Sequence, residues 1–414
     1  MESRLVRIKD LAPTDERLWR ELATRAVEPN PFFEPDFLVP SSRLFEGFSH
    51  TTLVIAQDRD RFCGLLPIAG VGRRRIPPRM VATTRGYPTA VTGLCTPLID
   101  PTQMDSTVDT LLHSLGRAAA RDGWPGIVSL DRLGDGGPVA ATLRRSARRL
   151  GMPVFAKDGW SCGSISRTEG WSVVLDGHRR RELGRIRRKL IEHLGTPISV
   201  VDRSADAGAV DEFLEMEATG WKGRVVDNGA FLREPAKVEW FREWRERWAS
   251  AGRLLLLSLQ AGDTAIAMLW SVWAGDRLIC FRIAYDDAYA RFAPGVALFF
   301  DALEYVRDNT DAQSLDTYTD RNNNFFLDIL PERQRITMLL IGTGGAVDRS
   351  MVAALPGMER VVARSSALRT QVLAARGRGG TSDVVRRPRR AMDRQGRDSR
   401  PAEQQDAGDH ESDV

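Results

Sequence analysis

The stretch from Arg253 to Thr319 constrains this chain more than any other. It reads RLLLLSLQ, AGDT, AIAMLWSVW, AGDR, LICFRIAY, then DDAYARFAPG, VALFFDALEYVRD and SLDTYT. Three apolar, β-rich runs joined by two tight Ala-Gly-Asp turns predict an antiparallel meander. The third run passes through a short loop into a predicted helix that opens at Pro294-Gly295. Its apolar positions Val296, Leu298, Phe299, Leu303 and Val306 suit a mostly buried helix. A strand from Ser314 to Thr319 follows the polar break Arg307 to Gln313. Strand, Gly-bearing loop, helix and strand in this order present a helix N-terminus, whose unpaired N–H groups and partial positive charge suit phosphate.

A meander followed by strand-loop-helix-strand resembles the core of the GNAT acyltransferases. More narrowly, AYDDAYARFAPGVALFFDALEY, from Ala284 to Tyr305, resembles the acetyltransferase domain of cellulose-biosynthesis CelD-type proteins, which are related to the Fem-type peptidyltransferases. In that family a Tyr-Asp pair precedes a Ser/Ala-Pro-Gly turn and a long helix. Here these are Tyr285, Asp286, Ala293, Pro294 and Gly295. MEATGWKGR (Met216 to Arg224) and LDTYTDRNNNFFLDILPERQRITMLLIG (Leu315 to Gly342) are similar to two further family segments, in the same order. The resemblance covers Ser166 to Gly344. It implies an α/β fold of the α+β kind, a GNAT-like mixed and largely antiparallel sheet flanked by helices, built as two tandem halves.

The rest of the chain is read against that expectation. A length of 414 residues suits two to three domains at ~150 residues each, and 42% hydrophobic residues suffice for a sizeable core. Arg4 to Lys9 reads as a strand and Pro13 to Ala26 as a helix begun by Pro, while NPFFEPDFLVP reads as a Pro-punctuated loop or short helix. Thr51 to Gln57 and Phe62 to Val71 read as a hairpin, Met104 to Arg121 as a helix, Ile127 to Leu130 as a strand, Val139 to Leu150 as a helix and GMPVF as a strand. Hairpin, helix, strand, helix, strand is also the order of the second half, which suggests a degenerate repeat. The expected divisions are a first GNAT-like domain over 1–165, an acyltransferase domain over 166–345, a helical extension over 346–375 and a disordered tail over 376–414.

Two stretches stand out by pattern. His178 to His193, HRRRELGRIRRKLIEH, carries seven Arg and Lys against two Glu. Leu183, Ile186, Leu190 and Leu194 give it one apolar stripe, so it reads as a basic amphipathic helix, either simply solvated or docking an anion. Trp240, Trp244 and Trp248 recur every four residues, the spacing of a core-facing helical stripe.

The four Cys and five His are scattered without metal or redox spacing, so neither a metal nor a disulfide is expected. No signal peptide and no run of ~18 apolar residues is present, which predicts a cytoplasmic protein with no membrane insertion. The net charge of +4 is mild. Partners expected from these features are a small-molecule acceptor and weak nucleic-acid contact through the basic helix or the tail.

Acyl transfer from a thioester needs a grip on the donor's phosphates, a donor for the thioester oxygen, a base and an acid. The resemblance implies acetyl-CoA or another acyl-CoA as co-substrate, gripped by Arg291, Phe292, Ala293, Gly295, Val296 and Ala297. The N–H groups of Val296 and Ala297 are expected to point outward, with Gly295 leaving room for phosphate. Phe292 takes a position that GNAT enzymes usually fill with a polar residue, and Pro294 removes one donor. The oxygen donor is expected from backbone around Arg282 and Ile283. Base candidates are Asp316, Asp320 and Glu217, and Tyr318 is the candidate acid. Asn323 falls where many relatives place a His. Trp221, Lys222, Arg224 and Tyr285 are candidates for the acceptor side. Two alternatives remain open: a Fem-like transferase that draws its amino acid from charged tRNA, and a catalytically silent scaffold in polysaccharide synthesis.

Overall fold

The computed structural model describes residues 1–68, 82–83, 93–168, 170–173, 177–224, 229–318 and 325–360. Residues 1–358 form one compact unit. The strands of its first half are β1 (Glu2–Arg7), β2 (Thr52–Asp58), β3 (Arg61–Ile68), β4 (Ala82–Thr83), β5 (Leu98–Ile99), β6 (Ile127–Gly134) and β7 (Val154–Ser166). Those of the second are β8 (Ile198–Asp202), β9 (Leu254–Ala261), β10 (Thr264–Ala274), β11 (Arg277–Tyr285), β12 (Ser314–Asp316) and β13 (Glu332–Gly342). The helices are α1 (Pro13–Arg25), α2 (Pro35–Leu44), α3 (Met104–Arg121), α4 (Pro138–Arg149), α5 (Gly177–Leu194), α6 (Ala209–Thr219), α7 (Pro235–Ser250), α8 (Pro294–Asn309) and α9 (Phe325–Ile329).

The expected repeat of order is present. β2-β3, α3, β6, α4, β7 in the first half matches β10-β11, α8, β12, α9, β13 in the second. One sheet has the order β1-β2-β3-β5, and a nine-stranded sheet has the order β4-β6-β13-β7-β12-β11-β10-β9-β8. The last strand of the chain, β13, lies between β6 and β7 and pairs antiparallel with both. β7 in turn pairs with β12. Strands from both halves therefore alternate in one sheet, and the division expected between 165 and 166 falls at the last two residues of β7. Pairing is antiparallel except for β4 with β6 and β11 with β12.

The Trp stripe is core. Trp240, Trp244 and Trp248 of α7 are all but fully buried, and Trp240 stacks on Trp244 at 5.1 Å. Phe281 of β11 meets the Trp244 ring edge-on at 4.5 Å, and Phe37 of α2 meets it at 5.6 Å. NPFFEPDFLVP thus supplies helix α2 rather than a loop, because Pro35 occupies the first helical turn, where its missing N–H costs nothing. On the other sheet face, α8 buries Leu298, Phe299, Leu303 and Val306. The predicted strand from Ser314 ends at Asp316 instead of Thr319, and residues 346–360 are helical. The predicted tail lies outside the described residues. Among the described residues no helix is long and apolar enough to cross a membrane.

Candidate active site

β11 and β12 run parallel and pair over three residues only, Arg277–Ile279 with Ser314–Asp316. Beyond Asp316 the chain turns toward β7, where Thr317 donates through its N–H and its hydroxyl to the Gly163 carbonyl at 3.3 and 2.8 Å. β11 continues to Tyr285, held by β10 alone, with Phe281 bulged out of that pairing. A wedge therefore opens along one edge of β11, bounded by the turns that follow α6 and by the N-terminus of α8. Parallel strands that part leave backbone donors and acceptors without a ladder partner, and such groups must find another.

Lys222, in the single helical turn Trp221–Arg224, meets that edge. Its Nζ donates to the Ile283 carbonyl at 2.7 Å and to Glu217 Oε1 at 3.2 Å. Glu217 of α6 also pairs with the Arg282 guanidinium and accepts the Phe231 N–H at 2.9 Å through Oε2. Arg282 donates to the Gly229 carbonyl at 2.8 Å and lies 3.9 Å from the Phe231 ring centre. Burial, reinforced by the neighbouring Arg282 charge, draws the Lys222 ammonium down to about 8. One enclosed carboxylate and two enclosed cations thus tie the loop after α6 to the wedge.

At the closed end of the wedge sits a second polar cluster. Arg277 Nε lies 3.2 Å from Asp316 Oδ2, and Arg277 donates to the Tyr318 hydroxyl at 3.0 Å. That hydroxyl donates to Asp316 at 3.3 Å. Burial pushes the Asp316 carboxyl above the usual carboxylate range, with Arg277 working against it, and pushes the Tyr318 phenol up as well. Tyr318 adopts a positive φ of 39°. As a candidate acid it has its hydroxyl committed between an arginine and a carboxylate. Asp316 and Glu217, the described base candidates, are both buried and held by guanidinium groups. Asp320 and Asn323 lie outside the described residues, as does the side chain of Trp221.

The loop before α8 differs from the expected phosphate cradle in three respects. Ala293 is the N-cap in the left-handed region, with φ 46° and ψ 53°. Its carbonyl accepts the N–H groups of both Val296, at 3.0 Å, and Ala297, at 3.1 Å. Those two donors therefore turn inward. Pro294 has no N–H, so Gly295 is the first-turn donor left for a ligand. Gly295 is buried, and a Cβ on it would meet Tyr285 Cδ1 at 3.2 Å and Ile283 Cδ1 at 3.4 Å. The glycine serves close packing of α8 on β11, not space for a phosphate. Phe292 is buried and packs against the His193 ring of α5 at 5.2 Å. Its apolar side chain is thereby explained by helix packing.

The remaining candidates lie on the rim. Arg291 is exposed, its Nη2 3.4 Å from His193 Nδ1. Arg224 is exposed and pairs with Asp287 at 2.9 Å, which bridges the turn after α6 to the turn after β11. Pattern reading gave Arg277 and Phe231 no individual role and met His193 only as the end of the basic helix. Nothing in their local sequence marks them, because each acquires its role from a residue at least 14 positions away. Among the described residues no cluster of His, Cys, Asp and Glu could hold a metal ion.

Comparison with known proteins agrees with this geometry. Residues 177–323, which begin at α5 and include β12, match the family model described as Acetyltransferase (GNAT) domain. No curated protein sequence matches the chain. The solved structure of FemX superimposes with a TM-score of 0.53 at 9% identity, covering 82% of this chain and 97% of FemX. A conserved protein of unknown function from Bacteroides thetaiotaomicron gives 0.49 at 10% identity, covering 80% of this chain and 97% of that one. A tandem GNAT protein from the clavulanic acid biosynthesis pathway gives 0.42 at 14% identity, covering 83% and 100%. The chain has a GNAT-like fold, and its residues 177–323 are similar to the GNAT acetyltransferase domain.

Proposed function

We propose that this protein is a GNAT-type acyltransferase that moves an acyl group, in the first instance acetyl from acetyl-CoA, to an amine or hydroxyl of a small or envelope-related acceptor. The observation that carries the reading is the wedge. β11 leaves β12 after three paired residues, and its free edge is where strand N–H groups can meet a developing oxyanion. The acceptor enters from the side of the turn Trp221–Arg224, which Glu217 and Lys222 hold against that edge. In this reading Glu217 and Asp316 are positioning residues. Each fixes an arginine or lysine beside the wedge, and neither has a carboxylate oxygen exposed to a substrate.

The start of α8 fits a CoA pyrophosphate poorly as a backbone cradle, since Val296 and Ala297 have already spent their N–H groups. Grip on the donor's phosphates then falls to the exposed Arg291 side chain. Calorimetry with acetyl-CoA and longer acyl-CoAs tests the reading. Micromolar to millimolar binding of at least one is expected, and no binding by any removes it.

Two observations favour other donors or none. α5 presents an exposed Arg and Lys face beside Arg291, as a charged tRNA would require. Salt-dependent binding of charged tRNA without binding of acyl-CoA would select that reading. The filled space beside Gly295 is what a silent scaffold would have, and failure of both donors to bind would select the scaffold.

A further inference from the structure

α5 buries Leu190 and pairs Arg187 with Asp301 of α8, but leaves space beside these contacts. Three hollows follow one another beneath it. The first, of about 540 Å³, opens between Lys189, His193 and Arg291 and is floored by Ile186 and Phe292. The second, of about 470 Å³, shares Ile186 and Phe292 and continues along Trp171, Ala297 and Phe300. The third, of about 380 Å³, shares Leu183 and Phe300 and ends at Ile329. The second hollow is also lined by Arg180, Arg187, Asp301, Glu304 and Arg307, with Arg187 paired to Asp301, and only the third leaves an almost wholly apolar surface open. The mouth of this trench is ringed by Arg185, Lys189, His193 and Arg291 against the single acid Glu192. Its far end is lined by Leu183, Phe300 and Ile329 together with His178, Arg179, Glu182 and Asp328.

Gly184 lines the trench at mid-length, in the interior of α5. Glycine there costs roughly 1 kcal/mol of helix stability relative to alanine. Nothing in the packing requires it: a Cβ would find only Arg188 Nη1, at 3.9 Å, and its φ is not positive. Ala293 and Ala297 face the same space from α8. Larger residues at these points would close the trench. A small residue placed there at a cost to its helix leaves space for a ligand.

We propose that this trench binds a lipid phosphate: a phosphorylated head group joined directly to one linear apolar chain. The phosphate sits among Arg185, Lys189, His193 and Arg291, and the chain runs under α5 past Gly184 toward Ile329. Charge complementarity selects an anionic head, and the apolar end selects an alkyl or isoprenoid tail over a nucleotide or a pantetheine arm with its amides. The trench mouth shares Arg291 with the phosphate grip of the acyl-transfer reading, and the free-CoA arm of the test separates the two.

The test is calorimetric titration of the full chain with dodecyl phosphate below its critical micelle concentration, beside dodecyltrimethylammonium and free CoA. Dodecyl phosphate is expected to bind at least tenfold tighter than the cationic amphiphile. Gly184→Leu should weaken it at least tenfold while leaving the melting temperature equal or higher, since leucine is the better helix former. Lys189→Glu with Arg291→Glu should weaken it comparably, through the head group. Equal binding of both amphiphiles would show mere detergent adsorption and overturn the proposal. Unchanged binding by folded Gly184→Leu protein would do the same. So would an equal loss of CoA binding in that variant, which would make the trench part of a nucleotide site.

Discussion

Replacing Glu217 with glutamine tests the account of the wedge most directly. Glu217 is the one carboxylate among Lys222, Arg282 and the Phe231 N–H, and all of its side chain is enclosed. Glutamine keeps the volume and can still accept from Phe231, but it leaves two enclosed cations without an anion. Breaking a buried pair by removing one partner costs about 3–5 kcal/mol, so urea denaturation should show a loss of that size at pH 6. The loss should depend on pH in a specific sense. In the folded protein Lys222 titrates at about 8, below its ordinary 10.5, so above 8 the unfolded chain binds the extra proton. Removing Glu217 removes interactions that raise this value, and Lys222 in the variant must therefore titrate lower still. Between that lower value and about 8 the variant gains stability with rising pH, because its unfolded state binds more protons than its native state, while the parent does not yet gain. The deficit should shrink from pH 6 to pH 9 and level off, the remainder belonging to Arg282, which stays charged. A deficit below about 1 kcal/mol, the range of an exposed pair, would refute the buried network. A deficit of constant size from pH 6 to pH 9 would show that Lys222 takes no part.

Two further substitutions check the packing on either face of the sheet. Trp244→Ala removes a ring that touches Trp240, Phe281 and Phe37, and should cost about 3–5 kcal/mol by thermal or chemical denaturation; a cost below 1 kcal/mol would take the stripe out of the core. Gly295→Val should cost about 1–3 kcal/mol through overlap with Tyr285 and Ile283, as overpacking does. Should that variant lose acyl-CoA affinity with no loss of stability, Gly295 would be a ligand contact and not a packing residue.

Much of the architecture is written locally. The meander Arg253 to Tyr285, helices α3 and α7, and the start of α8 follow from alternation, 3.6-residue spacing and the placement of Pro and Gly, all of which act within a few residues. The same logic identified the Trp stripe and the basic helix α5. Resemblance of short segments added the GNAT-like fold, which the family model and the FemX superposition support. What tertiary structure alone decided is which groups are spent. Ala293 enters the left-handed region, and its carbonyl takes the Val296 N–H, which a free helix end would have offered, besides the ordinary first helical bond from Ala297. Glu217 looks like a surface helix residue until Lys222 and Arg282 close over it from the following turn and from a strand 65 positions on. The insertion of β13 between β6 and β7 joins residues some 200 positions apart, and the trench exists only because α5 lies across α8. Local pattern fixes where backbone turns and which face is apolar. Desolvation, ion pairing and the room left for a ligand depend on neighbours brought together from elsewhere in the chain, and those are properties of the fold.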